Sequence, residues 1–133
     1  MKFLAALLAL VSASTVYAGE AFGDRVQRAN DVEKTAEGEA YQDVMWPLVK
    51  PVIADVMLQC VPDDPTLEGQ ALTLVATILV DGLPRDIEVQ PETKVTSCIA
   101  NGLARAPFPK PPQSFSDNGM PLVFVLHLHM HKP

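Results

Sequence analysis

Residues 71–90 read ALTLVATILVDGLPRDIEVQ. Leu72, Leu74, Ala76, Ile78 and Val80 alternate with Thr73, Val75, Thr77 and Leu79, the two-residue period of a strand that shows different residues to its two faces. Asp81-Gly82 then supplies turn chemistry, and Ile87 and Val89 continue in a second, more polar strand, so the stretch predicts an antiparallel hairpin. Pro84 falls near the turn, where no ladder donor is needed.

A helix is expected on each side of this hairpin. On the amino-terminal side, Val49, Val52, Ile53, Val56, Met57 and Cys60 mark one apolar helical stripe, which Val61-Pro-Asp-Asp-Pro-Thr ends. Pro47 and Pro51 argue against a smooth helix through the whole segment from Tyr41, although each suits a first turn. Trp46 reads as a packing residue before a ligand platform. On the carboxy-terminal side, Pro91-Glu-Thr-Lys opens a second helix with Thr93 as N-cap. Its stripe is Val95, Cys98, Ile99, Gly102, Leu103 and Ala106.

The segment Ala106-Pro-Phe-Pro-Lys-Pro-Pro is extended by its prolines and reads as a rigid connection that tucks Phe108 under the sheet. The last strand is Pro121 to Met130. Leu122, Phe124, Leu126, Leu128 and Met130 share its core face, and Val123, Val125, His127 and His129 lie on the other. The expected fold is therefore α+β, in the order α-β-β-α-β: a three-stranded antiparallel sheet with two helices packed on one face. The opposite face is expected to stay open, with Val75, Leu79, Val123, Val125, His127 and His129 as its candidate partner-binding residues. An open face and sheet edges invite an envelope protein, a second copy or the amino-terminal arm.

Totals fit this scheme. The 133 residues are 48% apolar and 20% charged, enough for one core. A net charge of -6 removes the electrostatic reason for binding nucleic acid. The first 18 residues, MKFLAALLALVSASTVYA, combine Lys2, a short apolar run and small residues at the end, so they read as a cleavable secretory signal. The run is too short for a comfortable bilayer span of about 20 residues, and no membrane insertion is expected after cleavage. Residues 19–48 are polar and read as a mobile arm or a weak helix, with Phe22, Val26, Ala29 and Val32 spaced at three to four. Residues 49–130 form the domain and 131–133 a tail. Export to the periplasm or beyond makes a disulfide the expected state of Cys60 and Cys98, since an even pair in an oxidising compartment is usually bridged.

An ordered set of residues resembles a known family. Cys60 near a helix end, Leu67-Glu-Gly69, a strand ending in Val80-Asp-Gly82, Ile87-Glu-Val89, Cys98 in the next helix and Phe108-Pro-Lys-Pro111 before a closing strand are similar to the carboxy-terminal domain of TonB-like energy transducers. The two-cysteine pattern resembles the AgmX/PglI gliding-motility group. The resemblance covers about residues 49 to 130. It implies a periplasmic protein-protein interaction domain without catalysis, which takes an extended partner segment onto a sheet edge. The chain departs from that family in lacking a retained membrane anchor and a long proline-rich span, so a free-standing adaptor is the expectation.

No G-x-S-x-G, H-E-x-x-H or P-loop occurs, and both cysteines are assigned to the bridge, so no enzyme is expected. Asp63 and Asp64 are adjacent in a proline-flanked turn and read as solvated loop residues. One alternative chemistry remains. His127, His129 and His131 alternate on one side of the last strand, about 6 to 7 Å apart, and imidazole pairs at that spacing suit a Zn or Cu ion. No other cofactor is implied. Intact-mass measurement tests the bridge: the mature protein gains about 2 Da on reduction, and an unchanged mass would show two thiols.

Overall fold

Val75 and Leu74 are neighbours on one strand and are both 1% exposed, although their side chains leave opposite faces of the sheet. Burial on both sides is the organising fact of the computed structural model, which describes residues 20–129. The elements run α1 (Phe22–Glu33), α2 (Ala36–Cys60), β1 (Ala71–Ile78), β2 (Pro84–Gln90), α3 (Lys94–Leu103) and β3 (Met120–His127). The sheet is antiparallel with β1 in the centre, order β2-β1-β3. The α+β class and the three-stranded sheet are thus as expected. The helices differ, because three are present among the described residues. The signal-like segment 1–18 lies outside the described residues.

The inner face is built from cross-strand apolar pairs, Leu72 with Leu126, Leu74 with Phe124 and Ala76 with Leu122. Helices α2 and α3 cover it with Tyr41, Met45, Val49, Val56, Ile99 and Leu103. The two helices approach closely at Gly102, where a Cβ would sit 2.6 Å from a Val56 methyl carbon. One turn further, Cys60 and Cys98 are bridged, with 5.6 Å between their Cα atoms. The bridge spans the two helices as expected, but Cys98 is exposed and Cys60 only half-buried, so it clamps the rim of the contact rather than its centre.

Helix α2 is longer than expected. It begins at Ala36, capped by the Thr35 hydroxyl, which accepts from Gly38 N–H at 3.1 Å, and it continues through Pro47 and Pro51. Both prolines are exposed and four residues apart, so the carbonyls of Asp43 and Pro47 that lose an N–H partner face outward, where water replaces it. The buried stripe Tyr41, Met45, Val49 and Val56 stays in phase across them. Packing of that stripe outweighs the two missing bonds.

Residues 22–33 form α1 instead of a mobile arm. Ala29, with Phe22 and Val26 beside it, packs on Val75 and Val123 of the outer face. Arg25 reaches the second strand, and its guanidinium donates to Glu88 at 2.7 Å. The expectation of an open outer face is corrected here: the weak apolar spacing of the amino-terminal segment is sufficient because two valines on the sheet wait for it. Gly38 allows the turn between α1 and α2, since a Cβ there would strike the Val32 carbonyl at 1.9 Å. The chain passes from one face of the sheet to the other between Ala29 and Tyr41.

The remaining local signals behave as read. Thr93 caps α3 in a reciprocal box with Thr96, whose hydroxyl also donates to the Pro91 carbonyl at 2.7 Å. Phe108 is buried against Phe124, with ring centroids 6.1 Å apart, and the Tyr41 hydroxyl donates to the Pro109 carbonyl at 2.8 Å. Asp64 caps a short turn, accepting from the Thr66 hydroxyl at 2.7 Å and the Thr66 N–H at 3.0 Å, and these bonds hold its carboxyl below the usual value.

Two outcomes follow. Gly102→Ala overpacks Val56 and costs about 1 to 3 kcal/mol of stability by urea denaturation; a cost near zero would show that the contact yields. Burial raises the Tyr41 phenol pKa, so the folded form holds this proton more tightly than the unfolded chain. Its contribution is intact below about pH 10 and declines as the pH rises further. Tyr41→Phe is then less stable by about 0.5 to 1.5 kcal/mol at neutral pH but loses less on going alkaline, measured as midpoints of denaturation against pH.

Candidate functional site

Which side of β3 is left unpaired is fixed by its last ladder bonds. Leu128 N–H donates to Gln70 C=O at 2.8 Å, and Gly69 N–H donates to Leu128 C=O at 2.9 Å. Because bonding direction alternates along a strand, Leu126, Phe124 and Leu122 also turn toward β1. The N–H and C=O groups of Val123, Val125 and His127 therefore point to the other side, where no strand pairs among the described residues.

The two edges of the sheet are chemically unlike. β2 carries Pro84, Arg85, Asp86 and Glu88, a register shift, and a positive φ of 52° at Asp86. These features blunt an edge. β3 carries Pro121 at its start and then no Asp, Glu, Lys or Arg through His131. Its edge is uncharged, with Val123 buried beneath α1 and Val125 and His127 exposed.

Exposed side chains flank this edge on both faces. On the outer side Val125 is 61% exposed, and His127 and His129 are exposed beyond it. On the inner side Trp46 of α2 is 38% exposed, with its ring edge-on to Phe124 at a centroid distance of 5.4 Å. The first turns of α2 are tied to the segment that leads into β3 through Tyr41 and Pro109 and through Glu37 and Ser114. An extended chain laid along the edge would alternate its side chains between Trp46 and the Val125 side.

The structure divides the residues singled out for partner binding. Val75 and Val123 are buried beneath α1 and are removed from any contact surface. Leu79 lies past the end of β1 in the hairpin turn, half-buried, with its N–H donating to the Leu83 carbonyl at 2.9 Å, so it is not on the sheet face. Val125, His127 and His129 remain together and exposed. Trp46 lies on the inner side of the same strand, against Phe124, a packing contact that the sequence did not locate.

The histidine row is only partly described. His127 and His129 lie on the same side of the strand, and His131 lies outside the described residues. His129 Nδ1 is 3.3 Å from Glu68 Oε1, a carboxylate brought in from 61 residues away that strand periodicity could not place beside it. Among the described residues no group of three His, Cys, Asp or Glu side chains converges to hold a metal ion. No helix among them is long and apolar enough to cross a membrane. Comparison with family models, with curated proteins and with solved structures found no match to this chain.

The layer beside the edge includes one largely buried charge, Arg25, paired with Glu88. The Arg25 side chain is 9% exposed while its Glu88 partner is 49% exposed, so loss of Glu88 strands a guanidinium that is already desolvated. Glu88→Ala is expected to speed hydrogen exchange of the α1 amides while those of β1 remain protected; equal loss in both would show that α1 and the sheet open as one unit.

Proposed function

We propose that this is an exported, non-catalytic protein-binding module that receives an extended segment of an envelope protein on the edge of β3. The observation that carries the reading is the uncharged, unpaired edge from Val123 to His127, set between exposed Val125 and half-exposed Trp46. Main-chain bonds would supply affinity, and the alternating contacts to Trp46 and Val125 would supply selectivity. The signal-like segment and the Cys60–Cys98 bridge support a periplasmic setting. The resemblance to TonB-type carboxy-terminal domains supports the same mode of recognition. A second copy joining edge to edge is the same chemistry with this chain as its own partner.

Proline substitution separates edge binding from folding. Val125 turns its N–H away from β1, so Val125→Pro removes a donor from the edge and leaves the β1–β3 ladder complete. A photo-crosslinker placed at His127 in the native host should capture an envelope protein, identified by mass spectrometry. Val125→Pro should abolish the adduct while near-ultraviolet circular dichroism stays unchanged. The same yield from a crosslinker at Arg85 on β2 would count against the β3 edge. A homodimeric adduct alone would reassign the edge to self-association.

Metal binding is the second reading, favoured by His127 and His129 sharing one side of the strand. Zn or Cu titration followed by calorimetry should show heat that disappears in His127→Ala/His129→Ala; no heat with either ion would end it.

A further inference from the structure

Helix α2 is apolar on the side that faces away from the sheet. Val44, Pro47, Leu48, Pro51, Ala54 and Leu58 are all exposed, Val44 at 57%, Leu48 at 47% and Leu58 at 55%. Asp55 is the one charged residue among them. A contiguous exposed apolar stripe marks an interaction surface, and no described element covers this one. The order of the residues is specific: Val44, Pro51 and Leu58 recur at intervals of seven, with Pro47 and Ala54 between them. That is the a/d repeat of a helix-pairing seam, and it runs about 21 Å at 1.5 Å per residue.

We infer that the outward face of α2 is a second docking surface, built for a basic amphipathic helix of another protein. The seven-residue interval selects a helix, since an extended segment would need a two-residue period on its own side. The sign of charge selects a basic one. Glu37, Glu39, Asp43 and Asp55 lie on α2 against a single Lys50, and Asp63 and Asp64 follow its end. The carbonyls of Asp43 and Pro47 add to this, because Pro47 and Pro51 give them no N–H and they face the same side, as acceptors for lysine or arginine donors. Pairing of α2 with a second α2 in antiparallel fashion would instead set Glu37 and Asp43 of one chain near Asp55 and Asp63 of the other, acid against acid at both ends.

The surface is tested with two synthetic amphipathic peptides that share a leucine a/d face, one flanked by lysine and arginine and the other by glutamate. Fluorescence anisotropy at physiological ionic strength should show the basic peptide binding at least about tenfold more tightly than the acidic one. Leu48→Gln/Leu58→Gln should weaken it by at least about tenfold. Asp55→Asn should weaken it less, and Val125→Pro should leave it unchanged, which separates this surface from the β3 edge. Both leucines are exposed, so near-ultraviolet circular dichroism should be unaffected. Binding of the basic peptide that survives Leu48→Gln/Leu58→Gln would reduce the effect to general charge attraction and overturn the proposal. So would a dimer in analytical ultracentrifugation that Leu48→Gln/Leu58→Gln dissolves, since a second copy would then own the face.

Discussion

The double-sided burial of β1 is the constraint on which the rest depends. Leu72, Leu74, Ala76 and Ile78 require a helical layer on one side, and Val75 requires cover on the other. A sheet of three strands has too little area to leave one apolar face in water. The chain therefore divides its helices, with α2 and α3 inside and α1 outside. Once α1 is committed to the outer face and α2 to the inner, the connection between them must be short and must cross from one face to the other, and Gly38 is where that crossing is tightest.

Most of the inner half was legible from periodicity. Alternation located β1, β2 and β3, and the apolar stripes of the two flanking helices carried Cys60 and Cys98. Capping chemistry placed the start of α3 at Thr93 to within a residue. These signals are local, and the structure departs from them at the ends of elements: β1 stops at Ile78 and leaves Val80 exposed in the turn, β3 stops at His127, and Cys98 is exposed at the rim. Two features were not legible. The span of α2 through Pro47 and Pro51 contradicts a local rule, and only the continuous burial of Tyr41, Met45 and Val49 explains why tertiary packing prevails. The role of α1 was weakly written because it needs just Phe22, Val26 and Ala29, three small or isolated apolar residues in a charged segment, and its decisive contact, Arg25 with Glu88, joins residues 63 apart.

The candidate site was legible in composition more than in position. The uncharged run from Asn118 to His131 stands out in a chain that is 20% charged. Periodicity assigned Val75, Val123 and Val125 to one face as equals, whereas the fold separates them by what lies above. Distance along the chain hid Glu68 from His129 and Trp46 from Phe124. Site residues on a sheet edge are chosen by the neighbouring elements, and those neighbours come from remote sequence.

The reach of α1 decides where the outer surface begins. Helix α1 packs mainly against β3, covering Val75 and Val123 while the Arg25 side chain reaches back to Glu88 on β2. Val125 and His127 are left exposed. The same helix that removes the open face from solvent thus sets one boundary of the binding edge, and the corner that joins it to α2 sets another near the beginning of β3, where Glu37 and Tyr41 are tied down. Between that corner and the Gln70 ladder bond, Val125 and His127 are exposed on a stretch of β3 that carries no charge of its own. An uncharged edge resists indiscriminate pairing only if it is short, and here its exposed part within β3 is confined to Val125 and His127.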